Sequence, residues 1–219
     1  MSIRVIRRLD ERAHRHRAFA WSYAALAHVA ERTSMARLRT GTLAAAHGRL
    51  LVLGAGQGHD LAHLPAAVTE VIAIEPDPSM RRLGRRRAAA APVPAYYVGG
   101  LAEQLPLPDA SVDTALAALV LCSVRDPGQS ARELRRVLRP EGLLLVLEHV
   151  RAADGSRLGR LQDRVDPLWR YLSGGCHLDR RARQVLEEAG FDTAGVRDRH
   201  LAKVLPLLDP AVQGVAHPR

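Results

Sequence analysis

The sequence predicts an α/β domain in which a largely parallel sheet is covered by helices on both faces. Two observations carry this expectation. From Arg49 onward, short apolar runs alternate with stretches of helical spacing. The first of those runs opens into a glycine loop, Gly54-Ala55-Gly56-Gln57-Gly58, with a helical stretch after it. Composition agrees: 219 residues, 47% hydrophobic and 25% charged, describe one ordinary globular domain. A chain of that length buries roughly 70–75% of its unfolded surface and folds without disulfides or metal.

Residues 4–32 read as one or two arginine-rich amphipathic helices and 34–46 as another. Leu50-Leu51-Val52-Leu53 is the first buried strand, Val68 to Ile74 the second and Ala95 to Val98 the third. Ser111 to Ala118 is the fourth and Leu143 to Leu147 the fifth. Helical spacing fills 58–64, 77–90 and 127–138. An irregular insert over 151–177 leads to a helix at 179–189, closed by Gly190, and residues 192–200 and 211–216 supply two last strands. There is no internal repeat and no low-complexity linker, so the division is a helical cap at 1–48 on a sheet domain at 49–219, one compact unit.

The charge and the cysteines exclude several classes. Net charge is +9, but 31 of the 32 basic residues are arginine, with Lys203 the exception, which resembles a coding bias more than a shaped basic face. The densest run, Arg81 to Arg87, has no interleaved aromatics to stack on bases, so no nucleic-acid partner is expected. No apolar run reaches the length of a membrane span, and Met1 is followed by arginines and not by a signal sequence. The six arginines from Arg4 to Arg17 read as a solvated helix face, so peripheral membrane contact is not expected either. Cys122 and Cys176 are too few for a disulfide framework. A cytoplasmic protein, monomeric or homodimeric, follows.

Glycines after the first strand let a ligand approach the backbone. A dinucleotide fingerprint wants Gly or Ala where His59 stands, so the G-x-G-x-G spacing suits S-adenosylmethionine better than NAD. Glu75, ending the second strand, can accept both ribose hydroxyls of a nucleoside; its alternative is a cap on the next helix. The loop after the third strand puts Ala102 and Glu103 at the carboxyl edge of the sheet, where an adenine would rest. His59-Asp60-Leu61-Ala62-His63 spaces two histidines by four residues. It lacks the glutamate and third ligand of a zinc-protease helix, and no metal is expected.

LLVLGAGQG, IEPDPSM, AEQLPLPDASVD and RELRRVLRPEG occur in the order found in class I S-adenosylmethionine-dependent methyltransferases, and the chain resembles the branch containing the quinone-biosynthesis enzymes. LVLCSV (119–124), LEHV (147–150), VDPLW (165–169) and GGCHLDR (174–180) are similar to a narrower group, which includes the membrane-anchored mammalian alkyl thiol methyltransferases. The resemblance implies a seven-stranded, mostly parallel Rossmann-like sheet, with 151–177 as a lid before the last helix. It also implies transfer of a methyl group to a small-molecule acceptor, leaving S-adenosylhomocysteine. S-methylation of a thiol in secondary metabolism is the leading activity. O-, N- or C-methylation of a natural product is the alternative, as is a methyltransferase-like protein that binds a ligand or catalyses a cyclisation. The sequence departs from the family at Val52, where an acid is usual, at Gln57, where threonine is usual, and at Pro140-Glu141-Gly142 in place of Pro-Gly-Gly. The mammalian hydrophobic anchor has no counterpart in residues 1–34.

The implied cofactor residues are Gly54, Ala55, Gly56, Gly58, Glu75, Pro76, Ala102, Glu103 and, beneath the methionine portion, Leu119. A thiol near pKa 8.5 needs little deprotonation, whereas a phenol near 10 needs a base. Glu148, His149, Asp166 and His177 are placed to supply one, with His149 first because its ordinary pKa sits near neutrality. The other reading of His149 is a hydrogen-bonded residue that only positions the insert, and of Asp166, before Pro167, a turn or helix cap. The scarce aromatics Phe19, Trp21, Tyr23, Trp169 and Tyr171 are expected to cover the acceptor pocket. Cys176 is expected to line it, with Cys122 as a small apolar neighbour.

Overall fold

The computed structural model describes residues 35–201 and 205–219. The cap helices expected over 4–32, and with them Phe19, Trp21 and Tyr23, lie outside the described residues. Helix α1 spans Ala36–Leu43, within the expected 34–46. The strands are β1 (Gly48–Leu53), β2 (Val68–Ile74), β3 (Ala95–Val98), β4 (Val112–Ala118), β5 (Leu138–His149), β6 (Phe191–His200) and β7 (Pro210–Pro218). They form one seven-stranded sheet in the order β3-β2-β1-β4-β5-β7-β6. The first five strands are parallel, and β7 runs antiparallel to both β5 and β6.

Alternation along the central strands divides the core into two layers. Leu51, Leu53, Ile72, Ile74, Ala115 and Ala117 face helices α3 (Pro127–Val137) and α5 (Ala182–Glu188), which contribute Leu134, Val137 and Leu186. Leu50, Val52, Val71, Ala73 and Leu116 face the other way, toward Leu43 of α1 and Leu61. Phe191 is the one aromatic among the largest fully buried side chains, so the core is aliphatic nearly throughout. Helices start at polar caps followed by proline. Asp77 accepts from the Ser79 and Met80 amides to open α2 (Pro78–Ala88), and Asp126 accepts from Gln129 to open α3.

Two expectations are corrected. Residues 58–64 form a single 3-10 turn, His59–His63, entered through Gly58 in the left-handed region, and no α-helix. The insert 151–177 is not irregular: it holds the 16-residue helix α4 (Arg157–Leu172), capped by Ser156 and continuing past Asp166-Pro167. Its buried face consists of Gly159, Gln162 and Asp166, while Leu161, Leu168, Tyr171 and Leu172 are exposed. Polar bonds hold it down. Gln162 accepts from the Ala152 amide at 2.8 Å and donates to the Leu207 carbonyl at 2.9 Å, and Asp166 accepts from the Leu178 amide at 2.7 Å. The insert is thereby docked on the strand ends.

The loop after β3 is strapped to α3. Glu133 accepts from the Leu105 amide at 2.7 Å, and Arg136 donates to the Leu107 carbonyl at 2.8 Å and pairs with Glu133. Arg136 holds the Glu133 carboxyl below its ordinary value; burial opposes this and the Leu105 N–H adds to it. The native carboxyl therefore takes up its proton less readily than the unfolded chain. Its contribution is complete above the unfolded value and fades as pH falls through and below it. We expect Glu133→Gln to cost about 1 kcal/mol near neutrality and progressively less in acid. Urea unfolding of both proteins across that pH range measures the difference.

Candidate active site

At the carboxyl edge of β1 the chain turns through Gly54, Gly56 and Gly58, with φ of +58°, +53° and +79°. The first glycine is demanded by packing, because a Cβ on Gly54 would lie 2.3 Å from Val120 Cγ2. At Gly56 the reverse holds: a Cβ would meet nothing closer than the Gly54 carbonyl at 4.0 Å. The backbone there is bare and faces open space, as a cradle for a ligand requires. Glu75 closes the loop from the next strand. Its Oε2 accepts from the Gly56 amide at 2.8 Å and its Oε1 from the Asp77 amide at 2.9 Å. Asp77, not Glu75, caps the following helix. Burial raises the Glu75 carboxyl above its ordinary value, against the pull of the two amides. Each oxygen keeps a second lone pair for a hydroxyl donor.

Pro76 follows Glu75, and its carbonyl accepts from Arg81. Ala102 is buried in the loop after β3, and Glu103 accepts from the Arg125 and Asp126 amides at 2.8 and 3.1 Å. Glu103 thus ties that loop to the one after β4. Leu119 takes φ +55°, a conformation L side chains rarely adopt, as the chain leaves β4. Its amide is held by the Leu147 carbonyl at 2.8 Å. Val52 is packed in the core, and Gln57 is buried in the glycine loop.

A second group of side chains gathers where β4 and β5 end. Glu148 is fully buried, and its Oε1 accepts from the Val120 and Leu121 amides at 2.8 and 2.9 Å. Burial pushes its carboxyl up to about 7, with those amides acting the other way. His149 Nε2 lies 3.1 Å from Cys176 Sγ. Cys122 joins them, because the three ligand atoms fall within 4.8 Å of one another. The proximity of the two thiols lowers that of Cys176 and raises that of Cys122. Burial pulls His149 down, yet the Cys176 sulfur and Glu148 carry it above its ordinary value. Cys122 is buried and belongs to this cluster.

The other candidates are more dispersed. Both Asp166 oxygens are engaged, one by the Leu178 amide and one by Arg170 at 3.0 Å. His177 hangs from the Cys122 carbonyl by its amide, with its ring 3.6 Å from Asp179; burial, then Arg180, lowers its pKa. Trp169 contributes to the low thiol of Cys176, whereas Tyr171 is 86% exposed. Asp60 pairs with Arg39, and the His63 ring bonds Thr40 at 2.9 Å, so HDLAH links the 3-10 turn to α1. Sequence reasoning named Cys122, His149 and Cys176 separately and missed their convergence. The signal available was that both cysteines of the chain follow or face the same two strand ends.

A family model described as a methyltransferase domain matches residues 51–146. The chain is 33% identical over 145 residues to thiol S-methyltransferase TMT1B of Rattus norvegicus, covering 65% of this chain and 59% of that protein. It is 30% identical over 170 residues to thiol S-methyltransferase TMT1A of Homo sapiens, covering 76% of this chain and 69% of that protein. A solved S-adenosylmethionine-dependent methyltransferase from Thermotoga maritima, a possible histamine N-methyltransferase, superposes with a TM-score of 0.68 at 23% identity. That match covers 94% of this chain and 98% of the other. The chain thus spans 59% of the TMT1B relative's length.

Removing the Glu148 carboxylate strands two buried amides. Glu148→Ala is expected to cost about 3 kcal/mol, and Glu148→Gln, whose carbonyl still accepts, less than half of that. Equilibrium unfolding in urea measures both.

Proposed function

Because the chain belongs to the class I methyltransferase family, we propose that it transfers a methyl group from S-adenosylmethionine to the sulfur of a small thiol. The observation that carries methyl transfer is the bare, left-handed backbone at Gly56, closed by a buried carboxylate with lone pairs to spare. The thiol acceptor is supported by the activity named for TMT1A and TMT1B.

When bound, S-adenosylmethionine supplies a methyl group activated by a sulfonium. Gly54, Ala55, Gly56 and Gly58 would cradle it, and Glu75 would accept its ribose hydroxyls, with Pro76 setting the turn behind. Ala102 and Glu103 would serve the adenine, and Leu119 the methionine portion. The acceptor enters beside Cys122, His149 and Cys176, with Trp169 above, while Asp166 and His177 hold the 173–178 segment in place. An in-line displacement asks the protein for alignment and exclusion of water more than for covalent chemistry. A thiol suits such a site, since it ionises within reach of neutrality.

The test incubates the purified protein with S-adenosylmethionine and alkyl thiols, aryl thiols, phenols and amines, with mass-spectrometric detection of methylated product. Methylation confined to thiols is expected. A methylated phenol or amine with no methylated thiol overturns the acceptor. Gly56→Ala fills the cradle with one methyl, so we expect its KM for S-adenosylmethionine to rise about tenfold or more while the protein stays folded.

A further inference from the structure

We infer that Cys122, His149 and Cys176 form a binding site for a soft divalent cation of the zinc type, with its remaining position open to the acceptor thiol. The inference deepens the thiol methyltransferase reading and rests on it for the acceptor, though not for the metal.

Two sulfurs and an imidazole are the donor set that zinc selects over hard cations. Tetrahedral zinc with its usual bond lengths separates sulfur ligands by about 3.8 Å, and sulfur from nitrogen by about 3.5 Å. The observed cluster brackets those spans, with His149 Nε2 3.1 Å from Cys176 Sγ and all three atoms within 4.8 Å. Three protein ligands with one free position is the arrangement of catalytic zinc, whereas structural zinc takes four.

The surroundings favour a cation independently of the donor set. Glu148 Oε2 and His149 Nδ1 are buried with no hydrogen-bond partner among the described residues. A buried carboxyl oxygen with no partner is stabilised by positive charge placed beside it. The three ligands also come from separate parts of the chain that are rigidly held. Cys122 follows the turn bonded to Glu148, His149 ends β5, and Cys176 precedes a segment fixed by the Cys122 carbonyl and by Asp166. In this arrangement His149 serves as a ligand and not as a general base.

The chemistry balances without an oxidant. On entering the open position the acceptor thiol gives its proton to water and stays as thiolate. A sulfur lone pair forms the new S–CH3 bond. The methyl's bond to the sulfonium breaks, and its electron pair stays on that sulfur. Both products are neutral thioethers, which are weaker ligands than thiolate, so the position reopens. At neutral pH a free alkyl thiol is only a few per cent ionised. Binding as thiolate therefore offers up to about a thirtyfold gain in reactive species.

The experiment uses the full chain, stripped of metal under reductant and then titrated with Co2+ as a spectroscopic probe. Folding is followed by circular dichroism and free thiols by a colorimetric reagent. We expect one equivalent of Co2+ to produce a thiolate-to-metal charge-transfer band, which Zn2+ displaces and a small alkyl thiol shifts. Cys176→Ser, at the partly exposed ligand, loses the band while remaining folded; His149→Asn is the second variant should that one not fold. Absence of the band in folded, reduced wild type overturns the site, as does a band that survives in the folded variant. A band indifferent to alkyl thiol overturns the open position. Thiol methylation as fast without metal as with Zn2+ leaves the methyltransferase reading standing and removes the metal's part in it. A metal that binds as described, with no thiol methylated, does the reverse.

Discussion

A parallel sheet hands each strand to a loop at its carboxyl edge, and there the loop amides have lost their ladder partners. In this protein carboxylates from neighbouring strand ends and loops take those amides up. Glu75 at the end of β2 holds Gly56 and Asp77, and Glu148 on β5 holds Val120 and Leu121. Glu103 does the same for Arg125 and Asp126. Each buried or half-buried acid gives up hydration and recovers it as charge-assisted bonds to backbone. Glu75 fixes the glycine loop in its left-handed form, and Glu148 fixes the turn after β4.

That constraint explains why the site is assembled as it is. The loops after β1, β2 and β3 gather at one part of the carboxyl edge, and the ends of β4 and β5 gather with the 173–178 segment at another. Val120 joins the two, since its amide is held by Glu148 and its side chain sits where a Cβ on Gly54 would fall. The left-handed Leu119 lies at this junction, with its amide tied to β5. Strain at a non-glycine residue persists only where neighbouring bonds over-determine it, and here they do.

The parallel strands and the capped helices were legible in the sequence because local signals agree with the fold. Val68 to Ile74 and Ala95 to Val98 match β2 and β3 end for end, and Asp77-Pro78 and Asp126-Pro127 mark helix starts. Helix α4 was not legible. Its apolar residues Leu161, Leu168 and Leu172 point outward, its buried face is Gln162 and Asp166, and Asp166-Pro167 reads locally as a turn. Its position is set by polar bonds to Ala152, Leu207 and Leu178, which lie 10, 45 and 12 residues from their partners and leave no trace in the apolar periodicity. The Cys122–His149–Cys176 cluster was hidden for a related reason: each member is 27 residues from the next, and only the strand order brings them together. Glu75 was picked out as an acid at the right strand end, but its hold on Gly56 depends on the β1–β2 register and needed the structure.

The measurement that bears most directly on this account is calorimetric binding of S-adenosylhomocysteine to wild type, Glu75→Gln and Glu75→Ala, with each protein shown to be folded. If the clasp holds the cradle, wild type binds, Glu75→Gln binds more weakly, and Glu75→Ala is weakened by at least about a hundredfold. Equal affinity in all three folded proteins would contradict the account, because the loop would then keep its form without the carboxylate.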